Sequence, residues 1–472
     1  MLWRAIDVMQ SFFSAFRKTP IAVAALAVAF SSITPVEAQQ RRQGGGIPIV
    51  RDAEIEALVR DYARPIFQAA GLGKANIEIV LVNDSRFNAF VLGRRVFINT
   101  GALMQAETPN EIIGVLAHET GHLAGHHQER LREQLDRAKN MSVVSTLLGI
   151  GAMAAGAASK NGDVARAGGG IIAGGNELIM RNLLSYQRSE EMAADRSAID
   201  YLNATGQSAK GMLTTFRRFQ TALSLSGARV DPYRVSHPMP RDRIQNLETL
   251  ARASPNFDKK DSPELQRRHD MMRAKIATFT QGAVTASRMF RSQPKGEAAN
   301  YADALGTYLN GSPTAALGKV DSLIKAEPQN AYYRELRGDV LMKANKPAEA
   351  AEAYSKAISL DGAKSTTLRM NYAKAMIAIG KPASLEKAVS SLVDAIDEDR
   401  ENPAAYDLLA QAYAQMGELP ESELSTAEGH FYRGKIQDAK IFAGRAQLKM
   451  KPGSPSWLRA QDIINFRQPK KS

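Results

Sequence analysis

His118-Glu119-Thr120-Gly121-His122 lies inside an apolar-periodic segment, and its residue types constrain the conformation of that segment. On a helix the two histidines fall four residues apart on one face, a turn from each other, so both rings reach one metal ion. Imidazole pairs at this spacing suit the tetrahedral preference of zinc, which is the expected metal, one ion per chain. Glu119 sits beside the pair, placed to take a proton from water at the metal. That is the chemistry of peptide-bond hydrolysis.

The local sequence supports a helix here. Thr108-Pro109-Asn110-Glu111 combines an N-cap threonine, a proline at the first helical position and a capping-box glutamate. The apolar run Ile112, Ile113, Val115, Leu116 follows, so the motif-bearing helix packs against something. Gly121 and Gly125 remove bulk from it.

Two imidazoles and a water leave one ligand to find. An H-E-x-x-H-x-x-G-x-x-H arrangement fails, because Gly125 is in place but the final position holds Gln128. His126 and His127 fall at other offsets. The better candidate is Glu191, in Ser189-Glu190-Glu191-Met192-Ala193-Ala194-Asp195. Glu191 and Asp195 are also four apart, which gives a carboxylate ligand and, one turn on, a carboxylate to orient a ligand histidine. His237, in Ser236-His237-Pro238, is a further candidate: it can fill the fourth position of the metal or polarise the scissile carbonyl. A purely structural histidine is the plain alternative. Arg243 is read as a packing or salt-bridge residue.

HETGH followed by SEEMAADRSA resembles the HtpX/BepA-like zinc metalloprotease family, which shares its E-x-x-x-D pattern with prenyl-protein endopeptidases. Asn88-Ala89-Phe90 and Val96 to Gly101 look like that family's strand region, and Ser236-His237-Pro238 with Arg243-Ile244 like its late segment. The resemblance covers about residues 50 to 250. It implies metal ligands at His118, His122 and Glu191 and a general base at Glu119. The long Gly/Ala-rich stretch at 141–180 departs from the pattern and is read as a helical hairpin over the cleft, a lid or plug, or a membrane-touching segment; Gly168–Gly170 and the polar break Ser159–Asp163 speak against a transmembrane helix.

Met1 to Ala38 reads as a signal peptide, with Arg17 and Lys18 before the apolar run Ile21 to Phe30 and a small-residue cleavage site at Val36-Glu37-Ala38. The expected location is the periplasm of a Gram-negative bacterium. The chain has no cysteine, so its stability comes from packing. Its net charge is +12; the signal segment carries three basic and two acidic side chains, and its removal leaves +11. No nucleic-acid motif accompanies that charge, and no nucleic-acid partner is expected. Peripheral contact with an anionic membrane or with acidic clients fits better.

Residues 39–47 form a Gln/Arg/Gly linker, and 48–250 the expected metalloprotease domain. It opens with a helix at Ala53–Ala70, a strand at Ile77–Val82 and a hairpin turning at Gly93. Residues 251–296 read as a helical connector. From 297 to 468 small residues recur at about the 34-residue period of tetratricopeptide repeats, most clearly at Gly338, Ala350, Tyr354 and Ala357. The expected fold is an α+β zincin-type metalloprotease domain, helices with a small sheet, followed by an all-α tetratricopeptide-repeat solenoid. The resemblance implies degradation of unfolded or misassembled polypeptides in outer-membrane protein quality control, with the outer-membrane beta-barrel assembly machinery as partner through the repeats. A chaperone-like adaptor with a latent zinc site is the competing expectation.

Overall fold

The computed structural model describes residues 47–158, 162–225, 237 and 241–467. The signal-peptide segment, residues 39–46 of the linker, and Ser236 and Pro238 lie outside the described residues. The chain divides into two compact units, one of residues 47–50 with 62–261 and one of 51–61 with 262–467.

The first unit holds a four-stranded sheet: β1 (Ile49–Val50), β2 (Glu78–Val82), β3 (Ala89–Leu92) and β4 (Arg95–Asn99), in the order β1-β2-β4-β3. β2 pairs parallel to β4, and the other two pairings are antiparallel. β3 and β4 form the expected hairpin, with Leu92 opposite Arg95. Gly93 supplies the positive φ, at 60°, that a two-residue turn needs at its first position. Helix α1 (Ala53–Ala69) precedes β2 and spans the boundary, since residues 51–61 group with the second unit.

After β4 come α2 (Thr100–Gln105) and α3 (Pro109–Ala124), the helix that carries HETGH. Pro109 starts α3 as expected, but the Thr108 side chain makes no cap hydrogen bond. Glu111 instead accepts from the Glu107 backbone N–H and pairs with Arg218 at 2.7 Å, which draws its carboxylate away from a reciprocal box. Helices α4 (His127–Ala158) and α5 (Gly162–Ala204) then run antiparallel, followed by α6 (Lys210–Leu225) and α7 (Arg241–Arg252).

The Gly/Ala-rich stretch is therefore largely helical. Gly149, Gly168 and Gly175 line the contact between α4 and α5: a Cβ on Gly149 would overlap Ile172, and one on Gly175 would sit 2.6 Å from Ser145 Oγ. The two helices approach because those positions lack side chains. The pair also presents Val143, Val144, Leu147 and Leu148 to solvent. Among the described residues no helix is long and apolar enough to cross a membrane.

Motif glycines act in the same way nearer the site. A Cβ on Gly121 would lie 2.9 Å from the Ala194 carbonyl oxygen, so α3 and α5 touch backbone to backbone between Glu191 and Asp195. Ile112, Ile113, Val115 and Leu116 bury the other faces of α3. Such fully buried side chains stabilise by about 1.5–3 kcal/mol each, which anchors the helix on which the site is built.

The second unit is helical: α8 (Pro263–Gln281) and α9 (Ala283–Met289), then ten helices in successive pairs. These are α10 (Glu297–Asn310) with α11 (Pro313–Ala326), α12 (Ala331–Lys343) with α13 (Pro347–Leu360), α14 (Thr366–Ile379) with α15 (Pro382–Glu398), α16 (Pro403–Met416) with α17 (Leu419–Tyr432), and α18 (Ile436–Gln447) with α19 (Pro455–Asn465). Prolines at the first turn open most second helices, and Gly380 and Gly417 end α14 and α16 in the left-handed conformation. The periodic small residues Ala304, Ala316, Ala350, Ala357, Ala373, Ala388 and Ala395 are all buried. Tyr354 packs its ring where Gly338 has no side chain.

Candidate metal centre

α3 and α5 carry the two halves of the site, and their close crossing at Gly121 brings the halves together. His118 and His122 project from α3, Glu191 from α5, and His237 enters from the segment before α7. All four are buried, and one ligand atom from each lies within 4.8 Å of the others. His118 Nε2 is 3.0 Å from His122 Nε2, 3.3 Å from His237 Nδ1 and 3.4 Å from Glu191 Oε2. His122 Nε2 and His237 Nδ1 lie 3.3 and 3.1 Å from Glu191 Oε1. Tetrahedral ligands held at about 2.0–2.1 Å from zinc stand roughly 3.3 Å apart, so this donor set has the chemistry and the spacing of a zinc site.

Glu119 is fully enclosed beside the quartet. Its Oε1 makes no hydrogen bond and lies 3.4 Å from His237 Nε2. Burial pushes its pKa up to about 7, against the attraction of His118 and His122. A carboxylate poised there accepts and returns a proton near neutral pH. Burial opposes ionisation of Glu191 too, but His237, Arg243 and His122 outweigh it and hold its carboxyl well below the usual range. For His118 the hydrogen bonds to Asp195 and Glu191 overcome burial and carry the pKa up to about 9. The negative pocket that attracts a proton to this imidazole attracts a cation equally.

Asp195 sits where the spacing suggested, its Oδ1 3.0 Å from His118 Nδ1. Arg243 grips the same carboxylate through two bonds, at 2.6 and 2.8 Å, and reaches Glu191 Oε2 at 2.6 Å. The sequence leaves Arg243 between packing and a salt bridge; its bonds to two carboxylates of the site make it the latter.

His127, whose offset sets it apart from the ligand pattern, is a neighbour of the quartet. His127 lies against His122, its Nδ1 2.9 Å from His122 Nδ1, and its Nε2 is 3.0 Å from Glu190 Oε2. Burial and the neighbouring His122 hold the His127 pKa down to about 4. His126, by contrast, points into solvent.

Residues 50–251 match the model of peptidase family M48. Over most of its length the chain is similar to the beta-barrel assembly-enhancing protease of Escherichia coli K12: 25% identical over 430 residues, covering 88% of this chain and 83% of that protein. The protein of the same name from Yersinia pestis is 24% identical over 428 residues, with the same coverage. Metalloprotease YcaL of Escherichia coli is 28% identical over 173 residues, covering 36% of this chain and 60% of that protein.

Proposed function

We propose that this chain is a zinc-dependent endopeptidase of the periplasm that degrades misfolded or misassembled polypeptides during outer-membrane protein assembly. The observation that carries the reading is the convergence of three imidazoles and one carboxylate, with the Oε1 of Glu119, which makes no hydrogen bond, buried beside them. His118, His122 and Glu191 hold the ion, and zinc supplies Lewis-acid polarisation of the scissile carbonyl and of water. Glu119 takes the proton of the attacking water on its carboxylate and passes it to the leaving amine. Asp195 fixes the His118 ring through Nδ1, so that Nε2 faces the ion. Extended substrate adds to the sheet at β3, the outer strand of the order β1-β2-β4-β3, where backbone pairing reads polypeptide without regard to most side chains.

In this reading the helix pairs of the second unit are tetratricopeptide repeats that recruit clients or the outer-membrane beta-barrel assembly machinery. The similarity to proteases named for beta-barrel assembly supports that partner. His237 supports a second reading, a chaperone-like adaptor with a latent site. Its Nδ1 stands 3.3 Å from His118 Nε2 and 3.1 Å from Glu191 Oε1, where it would compete for the position that water and substrate need at a bound ion.

The test is cleavage of an unfolded outer-membrane protein by the zinc-loaded parent and by Glu119→Gln at equal zinc content. Cleavage by the parent and a loss of at least about 100-fold in the variant is expected for removal of the base. Client binding without cleavage by either protein would favour the latent adaptor, with His237→Ala restoring hydrolysis.

A further inference from the structure

His122 turns Nε2 into the quartet, and this leaves Nδ1 to be accounted for. That atom faces a second buried group which the peptidase chemistry does not use. His127 Nδ1 lies 2.9 Å away, with the two rings perpendicular and their centroids 4.8 Å apart. On the far side of the His127 ring, Nε2 stands 3.0 Å from Glu190 Oε2. Arg130 closes the row: its Nη2 is 2.6 Å from the same oxygen and its Nε 3.3 Å from the Tyr186 hydroxyl.

The tautomers follow from the ends. A ligating Nε2 must carry its lone pair toward the ion, so the His122 proton sits on Nδ1 and is donated to His127 Nδ1. His127 then carries its own proton on Nε2 and donates it to Glu190, whose charge Arg130 balances. Both histidine hydrogen bonds point away from the metal and toward the carboxylate, which Arg130 meets from the far side. This orients the His122 ring and raises its basicity as a ligand.

The backbone around His127 is shaped for this contact. α3 ends at Ala124, and His126 adopts a left-handed φ of 52°, so the chain breaks before α4 and brings His127 back over the last turn of α3. Gly125 has an ordinary right-handed conformation; it has to be glycine because a Cβ there would overlap the His127 ring. His118 is oriented by Asp195 and Arg243, and His122 by His127, Glu190 and Arg130.

We propose that His127 is a positioning residue that fixes the ring and proton of the ligand His122 through the row His122–His127–Glu190–Arg130. The inference rests on the metal-binding part of the proposed function and adds a residue that holds no ion itself.

The experiment is zinc affinity by chelator competition on the full chain, for the parent, His127→Leu, His127→Asn and Gly125→Ala. Urea unfolding of each protein in excess chelator is measured alongside. Asn places an acceptor near the position of His127 Nδ1, whereas Leu has none. His127→Leu is expected to weaken zinc binding about 10- to 100-fold, His127→Asn to recover part of that loss, and Gly125→Ala to reproduce it by displacing the ring. Parent-like zinc affinity in His127→Leu would overturn the proposal, as would equal losses in Leu and Asn that track their loss of stability in chelator. A parent that binds no zinc defeats the metal reading itself; a parent that binds one ion while His127→Leu binds it equally well defeats only the positioning role.

Discussion

Glu190 and Glu191 are neighbours in sequence and serve different histidines. Glu191 faces the quartet, and Glu190 faces His127 and Arg130. Adjacent acids ordinarily suggest a solvated face, and only the i, i+4 spacing of Glu191 to Asp195 marked one of them as chemical. The quartet members on α3 and α5 were legible as candidates because each lies on one uninterrupted helix, where period alone fixes the face. His127 was not, because the left-handed His126 breaks the period between it and His122. A different buried acid gives a test at this scale. Burial raises the Asp339 pKa to about 6, against the hydrogen bond donated by the Tyr354 hydroxyl at 2.6 Å. Between the ordinary carboxylate range and that value the folded chain keeps a proton that the unfolded chain has lost. Stability attributable to this group is therefore greatest in acid, falls as pH rises to about 6 and levels off above it. Asp339→Asn can still accept from Tyr354 and has no charge to bury. Relative to the parent, it is expected to gain about 2 kcal/mol more in urea unfolding at about pH 8 than at about pH 4.5. An offset equal at both pH values would sink the assignment.

Helices α4 and α5 form in spite of their glycines. Glycine lowers helix propensity, and the run Gly168–Gly170 speaks against a stable transmembrane helix; among the described residues no helix is long and apolar enough to cross a membrane. The structure has helix there because the contact between the two helices decides, and several of the glycines face it. Glycines on the same hairpin should therefore differ in sign. A Cβ on Gly151 would meet nothing within 4 Å, so Gly151→Ala is expected to stabilise α4 by up to about 1 kcal/mol. Gly149→Ala drives a methyl into Ile172 and the Gly168 carbonyl and is expected to cost about 1–3 kcal/mol. Amide hydrogen exchange across residues 141–180 reads both: slower in the first variant, faster in the second. Faster exchange in both would mean that propensity does not limit this hairpin; slower exchange in both would mean the helices can move apart without loss. The hairpin at Gly93 and the start of α3 at Pro109 were read correctly, since turn and first-turn chemistry are local. Thr108 is the N-cap as read, but the reciprocal box with Glu111 does not form, because Arg218, more than a hundred residues away, takes part of the Glu111 carboxylate.

At the scale of the whole chain, the second unit is discontinuous, and no local pattern announces it. The repeat period was visible from about residue 297 because buried small residues recur at fixed offsets. The contribution of residues 51–61 was invisible, because the contacts that place them span more than two hundred positions. Lys275 on α8 is buried and pairs with Asp52 at 2.8 Å and Glu54 at 3.1 Å. Tyr301 donates to the same Glu54 oxygen at 2.7 Å, and Arg268 reaches Asp61 at 2.8 Å. Ala53 packs with Ala357 and Leu368. A chain cut to begin at Ser262 keeps every helix pair yet leaves the Lys275 ammonium buried without these two carboxylates. Removing the partner of a buried charge costs about 3–5 kcal/mol. The fragment 262–472 is therefore expected to unfold at clearly lower urea than the same unit within the full chain, monitored through exchange of amides in α8 and α10. Adding a peptide of residues 51–69 should restore part of the difference, and the same peptide with Asp52→Asn and Glu54→Gln should restore much less. Equal stability of fragment and full chain would show that residues 51–61 lie on the second unit without completing its core, and the charged network would then be an ornament of α8.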